Sequence, residues 1–98
     1  MILTTTNSIE GHKIVDYLGI VTGIAVNRSV TKTTFNYEKM ILDIEQQLLK
    51  VKESAFQKLS ENAIKLGANA VVGILVDIEM KDTLRVIISV TGTAVKVI

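Results

Sequence analysis

His12 is the single histidine of the chain, and it follows Gly11 in a polar turn with Glu10 and Asp16 near it. An imidazole beside carboxylates is metal-ligating chemistry, so His12 and Glu10 are the candidate pair for a divalent metal. A transition metal takes three or four protein ligands, and soft metals favour Cys or His. The chain has no cysteine and one imidazole. A site therefore needs several subunits, for example a ring of His12 around a symmetry axis. The residue types by themselves favour a solvated turn histidine. His12 also has no nucleophile near it in sequence to make a Ser-His-Asp or Cys-His arrangement, so no catalytic residue is assigned.

The other candidates read as structural. Asp77 and Glu79 share one side of a strand, about 7 Å apart by strand rise. They could act as paired carboxylates, but nothing in the sequence would raise the pKa of one of them. Gly19 to Gly23 lacks the spacing, the Lys-Ser/Thr pair and the following helix of a phosphate loop. Leu66-Gly67-Ala68-Asn69-Ala70-Val71-Val72-Gly73 falls at a helix C-terminus, whose dipole repels anions. Gly19, Gly23, Gly67, Gly73 and Gly92 are assigned to backbone geometry. Asn69 is read as a helix-end anchor for buried backbone groups in the turn. Thr91 and Thr93 flank Gly92 and suit a subunit interface.

The elements that hold these residues follow from periodicity. Ile41, Ile44, Leu48, Val51, Ala55, Leu59, Ala63 and Leu66 recur at spacings of three and four, one stripe of a long helix. Phe56, Leu49 and Ile64 widen it. Thr34 or Asn36 would cap its start, and Gly67 would end it in the left-handed conformation. The period then changes to two. Ala70, Val72, Ile74, Val76, Ile78 and Met80 line one face of a strand. Leu84, Val86, Ile88 and Val90 line a second, and Gly92 is a candidate bulge that resets the phase. Opposed residues share a face, so Ile78 should pair with Val86 and Ile74 with Val90 around a Lys81-Asp82-Thr83 loop. Lys13 to Val26 reads as a long strand apolar on both faces, in which Gly19 and Gly23 mark bulges or a close backbone approach. Ile2 to Thr6 is a short strand or arm.

The expected fold class is α+β. It is a two-layer α/β sandwich, β-α-β-β, with one long helix on a small antiparallel sheet and a short N-terminal strand. One helix covers about one sheet face. The opposite face, expected to carry Val15, Val21, Val71, Leu75 and Ile87, would need another subunit.

With 98 residues, the chain is expected to form a single domain, 1–98. It is 48% hydrophobic with no Trp, more aliphatic surface than a small monomer hides. A net charge of +1 without a basic run gives no footprint for nucleic acid. No stretch reaches the ~20 apolar residues of a membrane span. The start lacks the basic residues and apolar run of a signal peptide. Absence of cysteine makes the cytoplasm the default location.

Four blocks in order carry a family resemblance. They are Thr4–Gly11, Tyr17–Gly23, Leu66–Gly73 and Ser89–Val95. Together they span nearly the whole chain, which resembles the YbjQ-like family. The resemblance implies a dodecin-like subunit with a central C-terminal strand, a ring-shaped homopentamer, and the description "putative heavy-metal-binding" without an established activity. The chain departs from the pattern in two places. Its connection over residues 27–36 is short, and Ile24 stands where an acidic residue often follows the strand glycine. The first functional expectation is a non-enzymatic homo-oligomer binding metal ions at subunit interfaces, with itself as sole partner. The alternatives are a structural or protein-interaction module or small-ligand binder without metal, and an enzyme whose site lies between subunits.

Overall fold

A computed structural model describes residues 1–27, 37–82 and 85–98, with backbone alone for Lys81 and Asp82. Its elements are β1 (Ile2–Leu3), β2 (Ile14–Val26), α1 (Tyr37–Lys65), β3 (Ala70–Asp82) and β4 (Arg85–Val97). The sheet order is β1-β3-β4-β2. β4 pairs antiparallel with both β2 and β3, while β1 adds in parallel to β3. The fold is thus α+β, one helix on a four-stranded sheet in β-α-β-β order. The sheet is mixed because of the N-terminal strand, which the sequence placed only as a strand or arm.

The helix stops where the glycine rule puts it. Gly67 has φ +83°. Its N–H donates to the Ile64 carbonyl and the Ala68 N–H to the Ala63 carbonyl, the paired bonds of a Schellman motif. The proposed caps Thr34 and Asn36 lie outside the described residues. Along the helix, Val51, Ala55, Leu59 and Ala63 are buried as the stripe requires. Leu49, Ile64 and Leu66 are exposed. Val26 and Asn27 sit beside Gln47, Lys50, Val51 and Ser54. The first turns of α1, about 15 Å of helix by rise per residue, therefore run past the end of β2.

Gly23 explains how the layers meet. A Cβ there would come within 2.6 Å of the Leu59 nitrogen, and nearer still to the Ala55 carbonyl oxygen. The helix backbone lies directly on the strand, the close approach expected of this glycine. Val21 and Ala25 flank the contact, and with Ile88, Val90, Ala94 and Ile74 they form the helix-side core.

Bulges correct the remaining strand assignments. Val72 pairs with Thr93 and Leu75 with Thr91, so Gly73 and Ile74 together oppose Gly92. Gly73 holds φ +62° in this bulge. A Cβ on Gly92 would stand 2.6 Å from Val71 Cγ1 and 2.9 Å from Ile74 Cγ1, so Gly92 is the small residue that accepts the bulge. Burial along β4 alternates from Arg85 to Ala94, and then Ala94 and Val95 are both buried. The bulge expected at Gly92 lies instead on β3, at Gly73 and Ile74. Val95 and Val97 are buried because a second cluster, Ala70, Val72, Ile2, Ile9 and Ile14, covers that end of the opposite face. The bulge also splits the expected β3 face, moving Val71 to the helix side with Ile74. Val76, Ile78 and Met80 follow it there but are exposed.

The hairpin register has the expected parity but is shifted by two residues. Ile78 pairs with Ile88 and Val76 with Val90, not Ile78 with Val86 or Ile74 with Val90. β3 continues to Asp82, opposite Arg85, so Lys81 and Asp82 are strand rather than loop. Thr83, the third residue of that expected loop, lies outside the described residues. β2 carries two register shifts, between Ile14 and Asp16 and between Tyr17 and Gly19. Gly19, at φ +134°, sits at the second one, as expected of a bulge glycine.

Candidate functional site

Much of the sheet face away from the helix is uncovered. From β2 it presents Ile20, Ile24 and Val26, from β3 Leu75 and from β4 Ile87. Ile20 is 79% exposed and Leu75 76%. At its centre the Thr22 and Thr91 hydroxyls lie 3.4 Å apart. Thr93, opposite Ile20, is on the same face. Two residues expected here are not: Val21 and Val71 are buried on the helix side, because each strand changes parity at its bulge. Val15, Leu75 and Ile87 are not in the helix-side core, and Val15 and Leu75 are exposed.

His12 and Glu10 lie elsewhere, on the turn between β1 and β2. The His12 N–H donates to the Ile9 carbonyl, and Gly11 holds φ +81°. Lys13 exchanges backbone bonds of 3.1 and 3.0 Å with Ile98, which fastens the turn beside the end of β4. Both side chains are exposed. Asp16 faces Lys96 across the β2–β4 ladder. Among the described residues, no group of three or more His, Cys, Asp or Glu side chains converges for a metal. Asp77 and Glu79 are exposed on β3, opposite Ser89 and Ile87.

Asn69 is an anchor, but its target differs from the expected one. Its amide donates to the Val97 carbonyl at 2.8 Å and its oxygen accepts from the Val97 N–H at 2.8 Å. The side chain acts as one more rung of the β3–β4 ladder rather than serving the helix turn.

The sequence reading missed how the two outer strands are treated. On β2, Asn62 Nδ2 donates to the Thr22 carbonyl at 2.9 Å and Lys58 Nζ to the Ile24 carbonyl at 3.0 Å. These helix residues occupy the outward acceptors of that edge. Their i, i+4 spacing on α1 was visible, but nothing in the sequence pointed it at a strand edge. On β3, the arm bonds only as far as Ile74. The Thr4 carbonyl accepts from the Ile74 N–H and the Thr6 carbonyl from the Gly73 N–H. Thr6 Oγ1 donates to the Ser8 carbonyl at 2.6 Å and lies 2.7 Å from Thr4 Oγ1, which gives Thr4 and Thr6 a local role in shaping the arm. No helix among the described residues is long and apolar enough to cross a membrane.

A family model described as "putative heavy-metal-binding", that of the YbjQ proteins, matches residues 1–98. The chain belongs to this family. A solved structure of a protein of unknown function from Pediococcus pentosaceus, assigned to the DUF74 family, is similar to this YbjQ chain over its full length. It has 18% identity, a TM-score of 0.73, and coverage of 100% of this chain and 98% of that one. At that identity the likeness is one of fold.

Proposed function

We propose that the chain is a non-enzymatic subunit of a homo-oligomeric ring, a pentamer on the family resemblance, that holds divalent metal ions where subunits meet. The observation that carries the association is surface. The chain exposes 6816 Å², against about 5500 Å² for a compact monomer of its mass. The excess is of the size that standard interfaces bury. Exposed apolar side chains include Ile20, Ile24 and Leu75 on the open sheet face and Tyr37 and Leu42 near the start of α1. Exposed apolar surface on this scale marks protein contacts.

Metal binding is supported by the family description and by the exposure of His12 and Glu10. One imidazole per chain makes a site only when several copies bring their turns together. A cysteine-free chain with exposed carboxylates suits a reducing cytoplasm and a metal that accepts nitrogen and oxygen ligands.

Native mass spectrometry with zinc, copper and nickel tests both parts. The expected result is a closed oligomer that takes up metal in fixed ratio and loses it on His12→Ala while staying assembled. A monomer would sink the association. A ring that takes up no metal would remove the metal and leave an interaction module.

A further inference from the structure

We propose that the free edge of β3, from Val76 to Met80, is a strand-addition site for an extended peptide in which apolar residues alternate with Lys or Arg. The direction of the edge groups follows from the ladder. Val86 uses both its N–H and its carbonyl toward Asn27, at the β2 side. Backbone bonding alternates along an antiparallel strand. Even residues of β4 therefore bond toward β2 and odd residues toward β3. The partners of Ile87, Ser89 and Thr91 are Glu79, Asp77 and Leu75. Val76, Ile78 and Met80 are left with their N–H and carbonyl groups directed outward. Among the described residues no strand lies beside them, since β1 pairs only at Ala70 and Val71 and the arm bonds end at Ile74.

The two outer edges are not equivalent. β2 has its outward carbonyls at Thr22 and Ile24 occupied by Asn62 and Lys58. Occupied acceptors blunt an edge against pairing. Among the described residues, β3 has no such cover past Ile74.

The side chains set the chemistry of the guest. On the helix side Val76, Ile78 and Met80 are exposed because α1 lies over β2 and β4. A guest residue opposite each of these three would share that side and be apolar. On the other side, Asp77 and Glu79 are exposed. A guest residue opposite each would meet a carboxylate, which favours Lys or Arg. The same two carboxylates oppose a second β3. Antiparallel pairing of two β3 edges centred near Ile78 sets Asp77 against Glu79, like charges directly opposite. Strand addition of this type takes affinity from main-chain bonds and specificity from alternate side chains.

The test uses the full-length protein and an acetylated, amidated peptide of alternating Val and Lys, flanked by Thr, with a Val and Glu peptide as control. Fluorescence anisotropy measures binding, and amide hydrogen exchange locates it. The expected result is binding of the Lys peptide at least about ten-fold tighter than the Glu peptide, with slowed exchange at Val76, Ile78 and Met80. The double variant Asp77→Lys with Glu79→Lys should reverse the preference. Ile78→Pro should abolish binding, because it removes an outward N–H that makes no ladder bond. Equal binding of both peptides overturns the proposal. So does slow exchange at those three amides without peptide, which would make a second copy the occupant. The proposal does not rest on metal binding, and His12→Ala should leave it unchanged.

Discussion

Gly23→Ala should be among the most destabilising single-methyl changes in this protein. The added Cβ would stand 2.6 Å from the Leu59 nitrogen and closer to the Ala55 carbonyl oxygen. Both are helix backbone atoms, so no side chain can rotate away. Ordinary contact needs about 3.5 Å or more, so to clear the nearer Ala55 oxygen α1 must lift from β2 by more than about 1 Å. Ala55 and Leu59 are fully buried. A gap of that size forfeits about half or more of each dispersion contact along the seam. Overpacking usually costs about 1–3 kcal/mol, and with backbone as the obstacle we expect at least ~3 kcal/mol. For a domain of this length that corresponds to a fall in Tm of about 12–24 °C. The comparison variant is Gly67→Ala, which has open space but φ +83°, and should cost only the left-handed strain of about 1–2 kcal/mol. Urea unfolding followed by circular dichroism, at matched protein concentration, measures both. A Gly23→Ala variant no less stable than Gly67→Ala would refute the close helix–strand contact.

Three further outcomes follow from the same geometry. Leu59→Ala empties a fully buried position and should cost about 2–5 kcal/mol, measured by the same unfolding. Asn69→Asp keeps the shape but turns an acceptor toward the Val97 carbonyl now held at 2.8 Å; it should destabilise more than Asn69→Ala, at about 1–3 kcal/mol, with faster amide exchange at the end of β4. Leu75→Lys places a charge on the open sheet face and should lower the oligomer mass seen by light scattering without lowering helix content, and an unchanged mass would take that face out of the assembly.

Much of the fold was legible because two periodicities dominate. The stripe from Val51 to Ala63 and the Gly67 stop could be read directly, since burial and a positive φ both leave a mark in residue type. Gly19 and Gly23 were readable for the same reason, as small residues in a bulky strand. The β3–β4 register was not. A period of two fixes parity but not a shift by two, and turn chemistry at Lys81-Asp82 was too weak to decide. The bulge was assigned to the wrong strand because Gly73 and Gly92 stand opposite each other, and a sequence does not say which glycine bends and which makes room. At the candidate site, the turn position of His12 was visible. The capping of β2 by Lys58 and Asn62 was not, because it depends on the rotation of α1 over the sheet.

The bulge at Gly73 links these points to function. Without the extra residue, Val71 would share a face with Leu75, and Ala70 and Val72 with Val76 and Ile78. The bulge places Val71 in the helix-side core and Ala70 and Val72 under Ile2 and Ile9 of the arm. One end of the second face is thereby closed by the chain itself. The other end, beyond the reach of an arm whose last bond to β3 is at Ile74, keeps Leu75, Ile20 and Ile24 open. The extent of apolar surface offered to a partner is therefore set by where the arm stops and where the parity changes, both within two residues of Gly73. Substituting Gly73 would act on the assembly and on the β3 edge together, whereas Leu75→Lys leaves the bulge and the arm bonds in place and acts through the charge it adds to the open face.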